Sequence, residues 1–341
     1  MSFGIVGRPG DRQVAAVRRC LRERGDSDPF VLDLSLFPAR TALTLRDDMP
    51  ATPGRAGVEH VRTWYVRTMP LPLPFYPGDA DTAHARRAAY AAGRERRSLA
   101  FSFLTALQHH GAHLVNTPAA FGQHFLKLDQ LRVLRAVGVP VPRSLATSDP
   151  QAVTAFAAEI GGPLVYKPLA GGALCRRLTP QDLHPDRLRL LSAAPVLFQE
   201  EVPGTNIRVY VVAETVVAAY EIVSDSLDYR GAEQAVLPAV LGAHEHRACL
   251  AAARACAMDF TGIDIRRRPN GTFALLECNP SPMFAAVERR TGDNPVSRAL
   301  ADLLTGRQPA PAALAERPAA EPRGHLAYPR GAGDGSTTAP A

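Results

Sequence analysis

Two strand-like segments, residues 261–267 and 272–278, flank the turn at Pro269-Asn270-Gly271, and each carries a carboxylate among apolar neighbours. Asn-Gly between apolar stretches is a strong hairpin signal, because the tight turn needs residues that tolerate positive φ. Strand side chains alternate, so Glu277 and Asn279 share a face, and pairing with the first strand brings Asp264 alongside them. Asp264 sits in Gly262-Ile263-Asp264-Ile265, and Glu277 in Ala274-Leu275-Leu276-Glu277-Cys278. A carboxylate among such neighbours is costly to bury unless it is paired or bound to a metal. Hard oxygen donors without nitrogen or sulfur suit Mg²⁺, which binds through one or two carboxylates and the oxygens of a phosphate.

The basic residues sharpen this reading. Lys127 and Lys167 are the only lysines among 39 lysines and arginines. A chain so biased toward arginine keeps lysine where a compact ammonium is needed instead of a broad planar fork. Lys127 lies in a helical stretch ahead of Val139-Pro140-Val141-Pro142, and Lys167 ends the apolar run Leu164-Val165-Tyr166. They suit two point charges reaching one polyphosphate from different elements. The net charge of +6 permits an anionic partner. The arginines, however, are spread through helices and flanked by acids, so a small anionic ligand is favoured over nucleic acid. The five cysteines form no Cys-x-x-Cys pair and have no histidine at metal spacing, which disfavours zinc. Their odd number reads as reduced thiols. Phe3–Val6 is already strand-like, with no secretory pattern before it, and no apolar stretch nears the ~20 residues that span a bilayer. The expectation is a soluble cytoplasmic chain with no membrane partner.

Length allows two or three domains. Residues 1–115 alternate strand and helix, as in a small parallel α/β sheet: Phe3–Val6, a helix capped by Asp11, a strand at 30–34 and another at 62–67. A Pro-rich loop at 70–77 then leads to an arginine-dense helix or helix pair over 81–110. A second long helix is predicted over 118–137. Asp149 and Pro150 open another, and Leu164–Lys167 is a strand before a flexible Gly171-Gly172 loop. Strands follow at Val196–Glu200, 207–212 and 216–222, then a helix over 244–258 and the hairpin. The division expected is 1–115, 116–192, 193–307 and a disordered Pro/Ala/Gly-rich tail, 308–341.

In that order, Lys127, Lys167 with its glycine loop, Gln199-Glu200-Glu201-Val202, Asn206-Ile207-Arg208, Gly262-Ile263-Asp264-Ile265 and Leu276-Glu277-Cys278-Asn279-Pro280-Ser281 resemble the ATP-grasp ligases, including those of RimK type. The resemblance spans about residues 116–306. It implies an α/β N-terminal (pre-ATP-grasp) domain followed by a two-subdomain α+β ATP-grasp fold that holds ATP between its subdomains. Carried over position by position, Lys127 and Lys167 would bind phosphate, and Gly171 and Gly172 would form the loop closing over it. Glu200, Glu201 and Val202 resemble the hinge whose backbone reads adenine. Asn206 stands where the family often has an acid near the ribose. Arg208 resembles the arginine that steadies an acyl-phosphate. Asp264, Glu277 and Asn279 match a two-magnesium site, with Mn²⁺ as an alternative ion.

A narrower set, Trp64-Tyr65-Val66-Arg67, Leu227-Asp228-Tyr229-Arg230 and Pro280-Ser281-Pro282-Met283-Phe284 with Glu288 and Thr291-Gly292, is similar to the microviridin-type, or graspetide, maturases. This places Arg230 with Arg208 and Lys167 among the catalytic candidates. The resemblance implies that a carboxylate is activated by ATP as an acyl-phosphate and captured by a hydroxyl or amine of a ribosomal peptide. The alternatives are a RimK-like ligase adding a free amino acid to a small or protein carboxylate, an ATP-grasp kinase, and a non-catalytic nucleotide-binding regulator. The partner expected is an acidic precursor peptide or a small carboxylate substrate, with a homodimer left open. Arg86, Arg87, Arg94, Arg96 and Arg97, with the Pro-rich loop, are the candidate surface for an acidic segment.

Overall fold

The computed structural model describes residues 2–47, 49–51, 58–69, 82–170, 173–230 and 232–312. The predicted Pro-rich loop, Gly171 and Gly172 lie outside them, as does the predicted tail beyond residue 312. The start of that tail packs back on the protein, where the Ala312 N–H donates to the Val216 carbonyl at 3.0 Å.

The N-terminal sheet is parallel, in the order Phe30–Leu32, Phe3–Val6, Thr63–Val66, His113–Val115. Parallel strands are covered on both faces, which is why Phe3–Val6 is apolar and buried throughout. Asp11 caps the helix Arg12–Glu23 by accepting from the Gln13 and Val14 N–H groups, and Val14, Val17, Cys20 and Leu21 are its buried face. The arginine-dense segment is one helix, Ala83–His109. Its last three turns bury Ala100, Phe103, Leu104 and Leu107 against Trp64 and its neighbours, while its first four turns stay largely in solvent.

A four-stranded antiparallel sheet follows, in the order Ser144–Thr147, Val196–Glu200, Leu164–Lys167, Arg176–Arg177. The helix Pro150–Ile160 packs on it through Val153 and Phe156, opened by Asp149 and closed by Gly161 at φ 62°. Next comes a five-stranded antiparallel sheet: Ala235–Pro238, Thr215–Val223, Thr205–Val212, Phe260–Arg267, Phe273–Asn279. One face, with Ile207, Val209, Ile263, Leu275 and Cys278, packs against the helices Ala243–Ala255 and Lys127–Ala136. On the other face Tyr210, Tyr220 and Phe260 meet the helices Ala285–Thr291 and Pro295–Leu304, together with Val14 and Val17 of the first helix.

The structure corrects two expectations. The central subdomain does not run over 116–192. Val196–Glu200 is an inner strand of the four-stranded sheet, so that body extends to Glu200. Residues 120–139 instead pack on the five-stranded sheet through Ala120, Leu131, Leu134 and Val139. The helix expected over 118–137 is also broken, into Pro118–Gly122, a short 3₁₀ turn and Lys127–Ala136. Leu126 leaves helical geometry at φ −104°, ψ 49°, which makes Lys127 the first helical residue and turns it toward the hairpin. No helix among the described residues is long and apolar enough to cross a membrane.

Candidate active site

The register of the five-stranded sheet sets a row of side chains across four strands. Tyr220 pairs with Arg208, Arg208 with Asp264, and Asp264 with Glu277. The alternation that buries Ile207, Val209 and Ile263 behind the sheet puts this row in front. Asn279 is opposite Gly262, one step further on the same face. A Cβ at Gly262 would lie 2.5 Å from Pro282 and 3.1 Å from Arg208 Nη1, so glycine is what allows the guanidinium to lie across the strand.

Each carboxylate has its own cation. Arg208 Nη1 is 3.2 Å from Asp264 Oδ1 and donates at 3.2 Å to the Gly262 carbonyl, while the Tyr229 hydroxyl donates to the same Oδ1 at 3.0 Å. Asp264 Oδ2 lies outside those contacts. Lys127 Nζ donates to Glu277 Oε2 at 2.6 Å, and His124 Nδ1 is 3.8 Å from Oε1. Burial raises the Asp264 carboxyl above its ordinary range, and Arg208 opposes this only in part. Burial also raises Glu277, but the charge and hydrogen bond of Lys127, with Lys167, outweigh it and leave the carboxyl below the ordinary value. The Lys167 ammonium is pulled below its usual pKa by burial, against the attraction of Glu277. Burial, with Lys127 close by, lowers the His124 pKa below its ordinary value against the pull of Glu277.

These groups front a cleft of ≈ 320 Å³ between the two antiparallel sheets. Lys167, Gln199, Glu200, Glu201 and Val202 form one wall, and Lys127, Asn206, Arg208, Asp264, Glu277 and Asn279 the other. Glu201 takes both arms of Arg177 at 2.7 Å, and Glu200 Oε1 lies 3.5 Å from Arg268, so both carboxylates are held by arginines. Arg266 Nε donates to the Val202 carbonyl at 2.9 Å, and its Nη1 to Asn206 Oδ1 at 2.6 Å. The neutral amide of Asn206 thus serves as an acceptor for a neighbouring cation. Arg230 is gripped by Asp228 through Nε at 2.8 Å and Nη2 at 2.5 Å, and its Nη2 also donates to the Ala173 carbonyl at 3.1 Å. Asp228 Oδ2 accepts from the Cys175 N–H at 2.9 Å, so this pair fastens the downstream end of the glycine loop.

Several lining residues, Arg266, Asp228, Tyr229 and His124 among them, are not site candidates on the sequence alone. Arg266 was within reach, because it lies two residues beyond Asp264 and therefore on its face. Asp228 and Tyr229 lie beside Arg230, yet nothing in that tetrapeptide says that the tyrosine reaches Asp264. His124 gave no signal; its Nδ1 is buried without a hydrogen-bond partner.

A profile of the RimK-like ATP-grasp domain matches residues 126–303, more than half of the chain. The chain belongs to that family. Among solved structures, the ATP-grasp ligase PsnB complexed with a minimal precursor superposes at TM-score 0.79 and 35% identity, over 90% of this chain and 99% of that one. The macrocyclase MdnC of Microcystis aeruginosa, bound with precursor peptide MdnA, superposes at TM-score 0.73; at 22% identity it speaks for the fold alone. A curated relative, a probable alpha-L-glutamate ligase of Legionella pneumophila, is 26% identical over 65% of this chain and 77% of its own length. The chain is an ATP-dependent ligase with an N-terminal domain ahead of the ATP-grasp fold.

Glu277→Gln is expected to fold yet lose turnover, and near-normal ATP consumption by the variant would contradict the role given to this carboxylate. It should also lose roughly 2 kcal/mol of stability at pH 7, because Lys127 keeps its charge without its partner. Glu277 has a depressed folded-state pKa, so its contribution is complete above the ordinary value of 4.5 and fades as pH falls through the lower folded value. Denaturant unfolding at pH 7 and at pH 3 should therefore show the gap between variant and wild type narrowing in acid.

Arginine should not replace either lysine. The guanidinium is broader and wants coplanar acceptors, whereas Lys127 and Lys167 present compact ammonium groups to a cleft that is already crowded. Lys127→Arg and Lys167→Arg are each expected to weaken nucleotide binding or turnover at least tenfold, ~1.4 kcal/mol or more. Normal ATP use by the double variant would show that ammonium geometry is not required.

Proposed function

We propose that this ligase forms ester or amide links within a ribosomally made precursor peptide. A peptide carboxylate attacks the γ-phosphorus of ATP, the bond from that phosphorus to the bridging oxygen breaks, and ADP leaves an acyl-phosphate. A hydroxyl or amine of the same peptide then attacks the acyl carbon, the carbon–oxygen bond to phosphate breaks, and the nucleophile's proton passes to solvent or phosphate. The observation that carries this reading is the likeness to the precursor-bound PsnB ligase, which extends through the N-terminal domain. The alignment with the glutamate ligase of Legionella leaves about a third of the chain unmatched. The runner-up, addition of free glutamate, rests on that second likeness.

Placement and charge neutralisation are the work assigned to the protein, because phosphoryl transfer spreads negative charge over the oxygens. Lys127 and Lys167 would neutralise the phosphates, the backbone of Glu200, Glu201 and Val202 would take the adenine edge, and Asn206 would lie by the ribose. Arg208 would steady the acyl-phosphate, Arg230 would act beside it from its contact with the Ala173 carbonyl, and Gly171 and Gly172 would close over the phosphates. Three oxygen-bearing side chains on one sheet face, with Asp264 Oδ2 outside the protein contacts described above, fit hard divalent ions. Asp264, Glu277 and Asn279 would hold two Mg²⁺, or Mn²⁺ in their place, supplying charge to the phosphate oxygens. A peptide substrate needs a surface beyond the cleft. The exposed turns of the helix Ala83–His109, with Arg86, Arg87, Arg94 and Arg96 in solvent and Arg97 half-buried, suit an acidic segment of it.

The test uses an acidic precursor peptide of the kind such ligases modify. The wild type is expected to release phosphate only when peptide is present and to dehydrate the peptide once per link formed. Arg87→Glu with Arg94→Glu, seven residues apart and so on one helix face, should weaken peptide binding steeply at low salt without changing ATP affinity. Failure to bind any precursor, together with efficient ligation of free glutamate, would replace this reading with the glutamate-ligase one.

A further inference from the structure

Beyond Asn279 the chain leaves the hairpin as a strap, residues 280–285, which is anchored by Asn116 and by Arg67 and Gln13 of the N-terminal domain. Asn116 donates through Nδ2 to the Pro280 carbonyl at 2.7 Å. It also donates to the Phe260 carbonyl at 2.6 Å and accepts from the Phe260 N–H at 3.0 Å, tying the strap to the start of the first hairpin strand. Gln13 Oε1 accepts from the Phe284 and Ala285 N–H groups at 3.3 and 2.9 Å. Between these anchors is Arg67. Its Nη1 donates to the Ser281 carbonyl at 2.9 Å and to Ser281 Oγ at 2.6 Å, while the Ser281 hydroxyl donates to the Arg67 carbonyl at 2.8 Å. The guanidinium is itself pinned, with Nε 3.2 Å from each oxygen of Asp11, the cap of the first helix.

Ser281 reaches one residue further into the site. Its N–H donates to Asn279 Oδ1 at 2.9 Å, which fixes the direction of that amide and leaves the other lone pair of the oxygen for the cleft. Arg67 is mostly buried and compensated by Asp11, so it is not a spare cation for phosphate. Its contacts to Ser281 bear on where the Asn279 oxygen points. We infer that Arg67 of the N-terminal domain is a positioning residue for Asn279, acting through Ser281 to hold the amide oxygen toward the metal-binding face of the cleft. This rests on the reading of Asn279 as a magnesium ligand. It gives the N-terminal domain a part in building the nucleotide site. A ligand held by such a partner binds better than one left to rotate, and loss of the partner costs about tenfold or more in metal affinity.

The experiment measures ADP binding to the full-length protein by calorimetry across a Mg²⁺ titration, without turnover. Arg67→Gln is expected to raise the Mg²⁺ concentration for half-maximal tight ADP binding about tenfold and to leave metal-free ADP binding unchanged. Arg67→Lys, which keeps a donor for Ser281, should recover part of the shift. Asn279→Ala should move the midpoint at least as far. The Arg67→Gln/Asn279→Ala double variant should be no worse than Asn279→Ala alone, since contacts acting through one group are not additive. Ser281→Ala, which keeps the backbone contacts, should shift the midpoint the same way by less, and it stands in if Arg67→Gln does not fold. Additive effects in the double variant overturn the proposal, as does an unmoved midpoint in Arg67→Gln beside a moved one in Asn279→Ala. If Asn279→Ala itself leaves the midpoint in place, the ligand assignment fails and the proposal with it.

Discussion

Asp264 and Glu277 stand opposite each other on paired strands, and two ionised carboxylates at that spacing repel. Most of the cleft is organised around that repulsion. Asp264 is met from its own sheet by Arg208 and from the 227–230 segment by Tyr229, whereas Glu277 is met by Lys127 from the broken helix. The break at Leu126 therefore has a consequence for chemistry, since an unbroken helix would not start at Lys127. Lys167 adds a further charge and is pulled below its ordinary pKa by burial. A polyphosphate in the cleft would oppose that lowering and add the negative charge that these cations face. A site balanced in this way suits a ligand that arrives with both phosphates and divalent ions.

The hairpin was legible because three independent signals agree: the Asn-Gly turn, the strand alternation, and carboxylates set among apolar neighbours. The lysines were legible because composition made them rare. What was missed depends on pairing at long range. Val196–Glu200 reads as an apolar strand whichever sheet it joins. Only its pairing with Ser144–Thr147 and Leu164–Lys167 assigns it to the central body. The one local signal of the break is Gly122, where the first piece ends; the stop at Leu126 itself carries no glycine or proline. Tyr229 and His124 matter through residues 35 and more than 100 positions away.

The residues of the narrower maturase resemblance turn out to lie largely at a joint. Arg67 and Ser281 bond each other, the Met283 carbonyl accepts from the Tyr210 hydroxyl at 2.6 Å, and Glu288 takes the Ser297 N–H and hydroxyl beside the first helix. Asp228 and Arg230 make a second joint, between the five-stranded sheet and the loop after Lys167. Such joints carry position, and in a reaction driven by placement a small displacement is expensive. This gives a physical reason for the likeness to PsnB to run through the N-terminal domain instead of stopping at the ATP-grasp fold.

The most direct measurement follows an oxygen isotope. A precursor peptide labelled with heavy oxygen in its side-chain carboxylates is incubated with the ligase, ATP and Mg²⁺, and the released phosphate is analysed by mass spectrometry. Passage through an acyl-phosphate transfers one carboxylate oxygen to phosphate for every link formed, and the account predicts labelled phosphate in step with peptide dehydration. Unlabelled phosphate beside a dehydrated peptide would mean that the carboxylate is never phosphorylated, and would contradict the chemistry assigned to this cleft.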